Sequence, residues 1–130
     1  MPGSQDFVPD TRNKELLVLL NDKLVPAHEA QVSLFDAGFA LGDGVWEGLR
    51  LHKGALLFLE AHLDRLYRGA AALRIDIGVT REELTASLWN LLRANGMEDG
   101  AHLRLMVTRG RKATINQDPR FTLGGPTIAA

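Results

Sequence analysis

The hydrophobic rhythm of the chain changes twice, and the changes divide it. ELLVLL (15–20) is an apolar run of strand length, and Asn21-Asp22 turns it into a second short run closed by Pro26. Asn and Asp tolerate the positive φ that a tight turn needs. VWEGLRLH (45–52) and ALLFLE (55–60) flank Lys53-Gly54, a two-residue hairpin signal. From Leu59 the period lengthens. Leu59, Leu63, Leu66, Ala70 and Leu73 recur at helical spacing and predict a helix of roughly four turns. Thr80 and Glu83 form a capping box that opens a second helix. Leu84, Leu88, Leu91 and Leu92 share its apolar face, and Asn95-Gly96 stops it. AHLRLMVTRG (101–110) returns to alternation and predicts a strand.

The remaining segments lack such periods. Residues 1–14 are polar and predict a loose arm. Residues 28–44 mix short apolar runs with small-residue breaks, which predicts a loop with at most a helical turn. Residues 111–126 form a polar, Gly/Pro-rich loop, and PTIAA (126–130) opens a further strand. The order of strands, two helices, strands predicts an α+β domain with a small mixed or antiparallel sheet. A strand that opens in the last five residues predicts a domain cut from something longer.

Composition narrows the functional classes. Fifteen Lys+Arg face sixteen Asp+Glu, for a net charge of −1, and the basic residues are scattered. That leaves no strong field to attract nucleic acid or anionic lipid. The absence of cysteine removes disulfides, thiolate chemistry and cysteine metal sites, and fits a reducing, cytoplasmic setting. No apolar run approaches membrane-spanning length, and the N-terminus has no apolar core of the signal-peptide kind.

Candidate chemistry concentrates on two strands and a helix. Along 45–52, Val45, Glu47, Leu49 and Leu51 share one face, and Trp46, Gly48, Arg50 and His52 the other. The second face is either a ligand wall, with a flat ring beside a glycine that admits close approach, or a half-exposed strand. Glu47 sits among apolar neighbours and needs a cation or several donors. On the first helix, Arg65 lies off the leucine stripe and can share a face with His62. It is either a solvated arginine or a clamp for phosphate or carboxylate. Arg104 is either an edge-strand arginine in water or a group that binds an acidic substrate. His28, His52, His62 and His102 form no zinc pattern, and no metal site is predicted. No nucleophile motif or P-loop is present.

Three motifs in order carry a resemblance: VSLFDAGFALGDGVWEGLR (32–50), HLDRLYRGA (62–70) and RLMVTRG (104–110). The chain from about Glu15 onward resembles the N-terminal small domain of fold-type IV pyridoxal-phosphate enzymes. That family includes branched-chain aminotransferases, D-amino acid aminotransferases and aminodeoxychorismate lyase. The resemblance implies that Arg65 grips the phosphate of pyridoxal 5'-phosphate. It implies that Trp46 and Gly48 line the substrate pocket and that Arg104 faces an acidic substrate group. Leu41 and His102 stand where branched-chain enzymes often place tyrosines. Thr114 and Asn116 stand where D-amino acid enzymes carry an arginine and a histidine, which argues against that specificity. The family's Schiff-base lysine belongs to a second, C-terminal domain, and none of Lys14, Lys23, Lys53 and Lys112 sits in its sequence context.

The resemblance therefore implies a homodimeric parent aminotransferase, with branched-chain-type amino acids and 2-oxo acids as substrates, and an inactive 130-residue piece. The lyase activity is the alternative within the fold. A non-catalytic anion-binding or dimerisation module is the alternative outside it.

Overall fold

The computed structural model describes residues 7–130, so the first six residues of the expected arm lie outside it. Six strands form one sheet: β1 (Leu17–Leu20), β2 (Lys23–Pro26), β3 (Gly44–His52), β4 (Ala55–Leu56), β5 (Ala101–Thr108) and β6 (Thr127–Ala129). Their order across the sheet is β2-β1-β6-β5-β3-β4. Every pairing is antiparallel, which settles the mixed-or-antiparallel alternative.

Three helices accompany the sheet: α1 (Ala37–Leu41), α2 (Leu59–Ala72) and α3 (Arg81–Ala94). The two long helices follow the leucine periods. Leu63, Leu66 and Ala70 of α2 and Leu84, Leu88, Leu91 and Leu92 of α3 are buried. They meet Leu49, Leu51, Leu103, Leu105, Val107 and Ile128 from one face of the sheet, and these residues form the core. Thr80 accepts from the Glu83 amide while the Glu83 side chain accepts from Thr80 N–H, completing the capping box.

The third helix, α1, lies within 28–44, where a loop with at most a helical turn was expected, and runs five residues. Asp36 caps its start and Gly42, at φ 67°, ends it in the left-handed region. The hairpin at Lys53-Gly54 forms, but its second strand is only two residues long. Phe58 adopts φ 54° and α2 begins at once, so the helical stripe from Leu59 claims residues that the apolar run suggested for the strand. Within the expected arm, residues Thr11–Asn13 make a single turn. Arg12 ties this turn to the body by donating to the carbonyls of Asp99 and Gly100.

The sheet has a helix-covered face and an open face. The open face carries Trp46, Arg50, His102, Arg104 and Met106, all exposed. Among the described residues, no helix is long and apolar enough to cross a membrane.

Candidate functional site

β3 sends alternate side chains to opposite faces, so Trp46 and Glu47 belong to two different environments. Glu47 points toward the helices and is 1% exposed. The carboxylate receives three donors. Arg65 Nε donates to Oε1 at 2.6 Å and Arg65 Nη2 to Oε2 at 2.7 Å. His62 Nδ1 lies 2.7 Å from Oε2. Arg65 holds the Glu47 carboxyl below its usual range, His62 adds to this, and burial opposes it. Glu47 in turn raises the Arg65 guanidinium further. His62 and Arg65 share a face of α2, as their three-residue spacing requires. Both reach the carboxylate.

The Arg65 side chain is nonetheless 69% exposed. Its Nε/Nη2 edge is spent on Glu47, and Nη1 has no hydrogen-bond partner among the described residues. The Nη1/Nη2 end is therefore the part open to an anion.

On the open face, the Arg104 guanidinium stacks on Trp46, 3.4 Å from the ring centroid. This cation–π contact forms the rim of a cavity of about 400 Å³ lined by Phe39, Trp46, Arg104, Met106, Thr108 and Thr127, among others. Asp36, which is 3% exposed, also lines it. Asp36 accepts from the Gly38 amide at 2.8 Å, Thr108 Oγ1 at 3.0 Å and Thr127 Oγ1 at 2.7 Å. One carboxylate thus fastens α1 to β5 and β6.

The expected site residues divide accordingly. Trp46 and Arg104 meet in the cavity. Gly48 pairs with Arg104 across the ladder, yet it lies beyond the cavity lining. A side chain at Gly48 would come within 3.0 Å of the His102 ring. Leu41 closes α1, half-buried and outside the lining. Arg65 stands on the helix side of the sheet, so it does not share this cavity. Sequence reasoning missed Asp36, although an Asp ahead of AGFAL is an N-cap signal. It also missed Phe39. No local signal points to Thr127, which reaches Asp36 across 91 positions.

The family model that describes class IV amino-transferases matches residues 44–123, from the start of β3 through the loop after β5. The chain belongs to the class IV aminotransferase family. Trp46, Glu47, Gly48, Arg65 and Arg104 fall within the family match; Asp36, Phe39 and Leu41 precede it. Branched-chain-amino-acid aminotransferase-like protein 2 of Arabidopsis thaliana is 44% identical over 121 residues, covering 93% of this chain and 22% of that protein. D-alanine aminotransferase of Bacillus licheniformis is 40% identical over 100 residues, covering 77% of this chain and 35% of that protein.

Among solved structures, the branched-chain aminotransferase from the thermophilic archaeon Thermoproteus uzoniensis, with norvaline, superposes with a TM-score of 0.72 at 28% identity. That match covers 88% of this chain and 39% of the other. A further branched-chain amino acid aminotransferase, complexed with N-(5'-phosphopyridoxyl)-L-glutamate, superposes with a TM-score of 0.78 at 26% identity, covering 90% of this chain and 40% of the other. The Escherichia coli branched-chain amino acid aminotransferase shares the fold, with a TM-score of 0.80 at 21% identity, covering 90% of this chain and 40% of the other. The chain thus spans well under half the length of these class IV relatives.

Proposed function

We propose that this chain supplies the small domain of a pyridoxal-phosphate-dependent aminotransferase. The parent enzyme acts on branched-chain-type amino acids with 2-oxoglutarate, as a cytoplasmic homodimer. The observation that carries the reading is the Arg65 guanidinium, anchored along one edge by a buried carboxylate and open at its other end. A fixed, solvent-facing pair of charge-bearing N–H donors fits a phosphate group. Arg65 would hold the cofactor by that group. When bound, the cofactor supplies the electron sink for bond-breaking at the substrate's α-carbon.

The residues of this chain bind and orient. Trp46 offers an apolar wall, and Gly48 leaves the strand surface low beside it. Arg104, already stacked on Trp46, has donors to spare for an acidic substrate group such as the side-chain carboxylate of glutamate. Leu41 supplies an apolar group where relatives often place a tyrosine. Thr114 and Asn116 are both exposed and carry no charge for a substrate carboxylate, which favours the branched-chain reading over the D-amino acid one. We assign the cofactor-holding lysine and the glutamate facing the pyridine nitrogen to a further part of the protein. Lys112 is 1% exposed, and its Nζ donates to the Asp118 carbonyl. The 130 residues alone are accordingly expected to be inactive.

The test is to purify the full-length gene product with pyridoxal 5'-phosphate, record its cofactor absorbance, and assay amino transfer to 2-oxoglutarate. Transfer from leucine, isoleucine or valine, with little from D-alanine, is the expected result. Absence of cofactor absorbance overturns the reading. Release of pyruvate from aminodeoxychorismate, without amino transfer from leucine, replaces it with the lyase activity.

A further inference from the structure

We propose that Glu47 is a positioning residue: buried in β3, it fixes the Arg65 guanidinium so that the Nη1/Nη2 end meets the cofactor phosphate. This rests on the reading of Arg65 as the phosphate grip. An arginine on an exposed helix face ordinarily samples many rotamers, and ordering it on a ligand costs entropy. Here the side chain is 69% exposed, yet two of its donors are already committed to one carboxylate, at 2.6 and 2.7 Å. His62 Nδ1, 2.7 Å from Oε2, holds that carboxylate from a second direction.

Stability alone does not account for the arrangement. Glu47 lies opposite Leu105 in the ladder, with Leu49 next on its face, and both leucines are fully buried. An apolar residue at this position would serve the core as well or better, since a buried ion pair is often no more stabilising than hydrophobic residues of similar volume. What the carboxylate adds is a planar two-point grip that sets the angle of the guanidinium. It takes the side edge and leaves the end edge, which is wide enough for two oxygens of a phosphate.

The experiment compares the affinity of the full-length apo-protein for pyridoxal 5'-phosphate with its affinity for pyridoxal. The ratio of the two isolates the phosphate contact. Arg65→Met is expected to lower this ratio strongly. Glu47→Gln is expected to lower it about tenfold, and adding Glu47→Gln to Arg65→Met to lower it no further. A merely structural role for Glu47 would weaken both ligands alike and leave the ratio in place. If Arg65→Met lowers the ratio and Glu47→Gln does not, the positioning role is overturned while the phosphate grip stands. If Arg65→Met leaves the ratio unchanged, the phosphate reading itself fails. Should Glu47→Gln not fold, Glu47→Asp decides. It keeps the charge but withdraws the grip by one methylene, and an unchanged ratio overturns the inference.

Discussion

Asp36 takes its hydrogen bonds from the Gly38 amide and the Thr108 and Thr127 hydroxyls, whereas Glu47 takes its from the Arg65 guanidinium and the His62 ring. The Glu47 carboxyl is therefore held below its ordinary value, first by Arg65. Because the folded value lies below the unfolded one, protonation favours the unfolded chain. The stabilisation from this group is present above the unfolded value of about 4.3 and is lost as pH falls through the depressed one. Urea midpoints measured from neutral pH downward are expected to drop more steeply for the wild type than for Glu47→Gln in the acid range. Equal slopes would show that the pair is not coupled to folding. Two glycines make a second contrast at this scale. A Cβ on Gly38 would overlap Thr108 Cγ2 and lie 2.9 Å from Thr108 Cβ, inside the knot that Asp36 ties. A Cβ on Gly48 would meet only the exposed His102 ring, which can turn away. Gly38→Ala is expected to cost about 1–3 kcal/mol by overpacking, and Gly48→Ala within about 0.5 kcal/mol, both read from urea unfolding.

At the scale of elements, α2 and α3 were legible because each buries a leucine stripe at one helical period. The start of α3 was legible because its capping box is local in sequence. α1 was legible only as at most a helical turn within 28–44, since five residues are too few to establish a period and its anchor is tertiary. The end of β4 was not legible, because residues 55–59 are an unbroken apolar run that shows neither a strand nor a helix period. The two capped helices predict different sensitivities. Thr80→Ala removes a cap from a long helix with its own buried face, and is expected to cost about 1 kcal/mol. Asp36→Ala removes a cap and also leaves the hydroxyls of Thr108 and Thr127 without their acceptor, so about 2–3 kcal/mol is expected. Chemical denaturation of both variants checks the order. A smaller loss for Asp36→Ala would mean that water satisfies those hydroxyls.

At the scale of the molecule, the sequence contained the faces of the strands but not their neighbours. The Trp46/Arg104 and Glu47/Arg65 associations cross strand and helix boundaries, so nothing in either segment alone names its partner. The same holds for β6, whose three residues lie between β1 and β5 and join the N-terminal hairpin to the rest of the sheet. Leu19 and Ala130 exchange both backbone hydrogen bonds, at 2.8 and 3.0 Å. Asn21 donates its amide to the Ile128 carbonyl, and its side chain accepts from the Ile128 amide. Ile128 is 7% exposed, and Thr127 holds Asp36. Without residues 126–130, the β1–β2 hairpin would keep its core contact through Leu19 and its tether to the end of α3, where Asn95 brackets the backbone of Leu17. Several hydrogen bonds at about 1 kcal/mol each, and one buried isoleucine at about 1.5–3 kcal/mol, approach the roughly 5–15 kcal/mol total stability of an ordinary domain. Removing those five residues is therefore expected to leave the hairpin amides of 17–26 unprotected in hydrogen exchange, and to broaden or abolish the cooperative unfolding transition. Ile128→Ala, which keeps the backbone ladder, is expected to cost about 2–4 kcal/mol with hairpin protection retained. Unchanged protection of 17–26 in the shortened chain would show that Asn95 and Leu19, rather than β6, hold the hairpin in place.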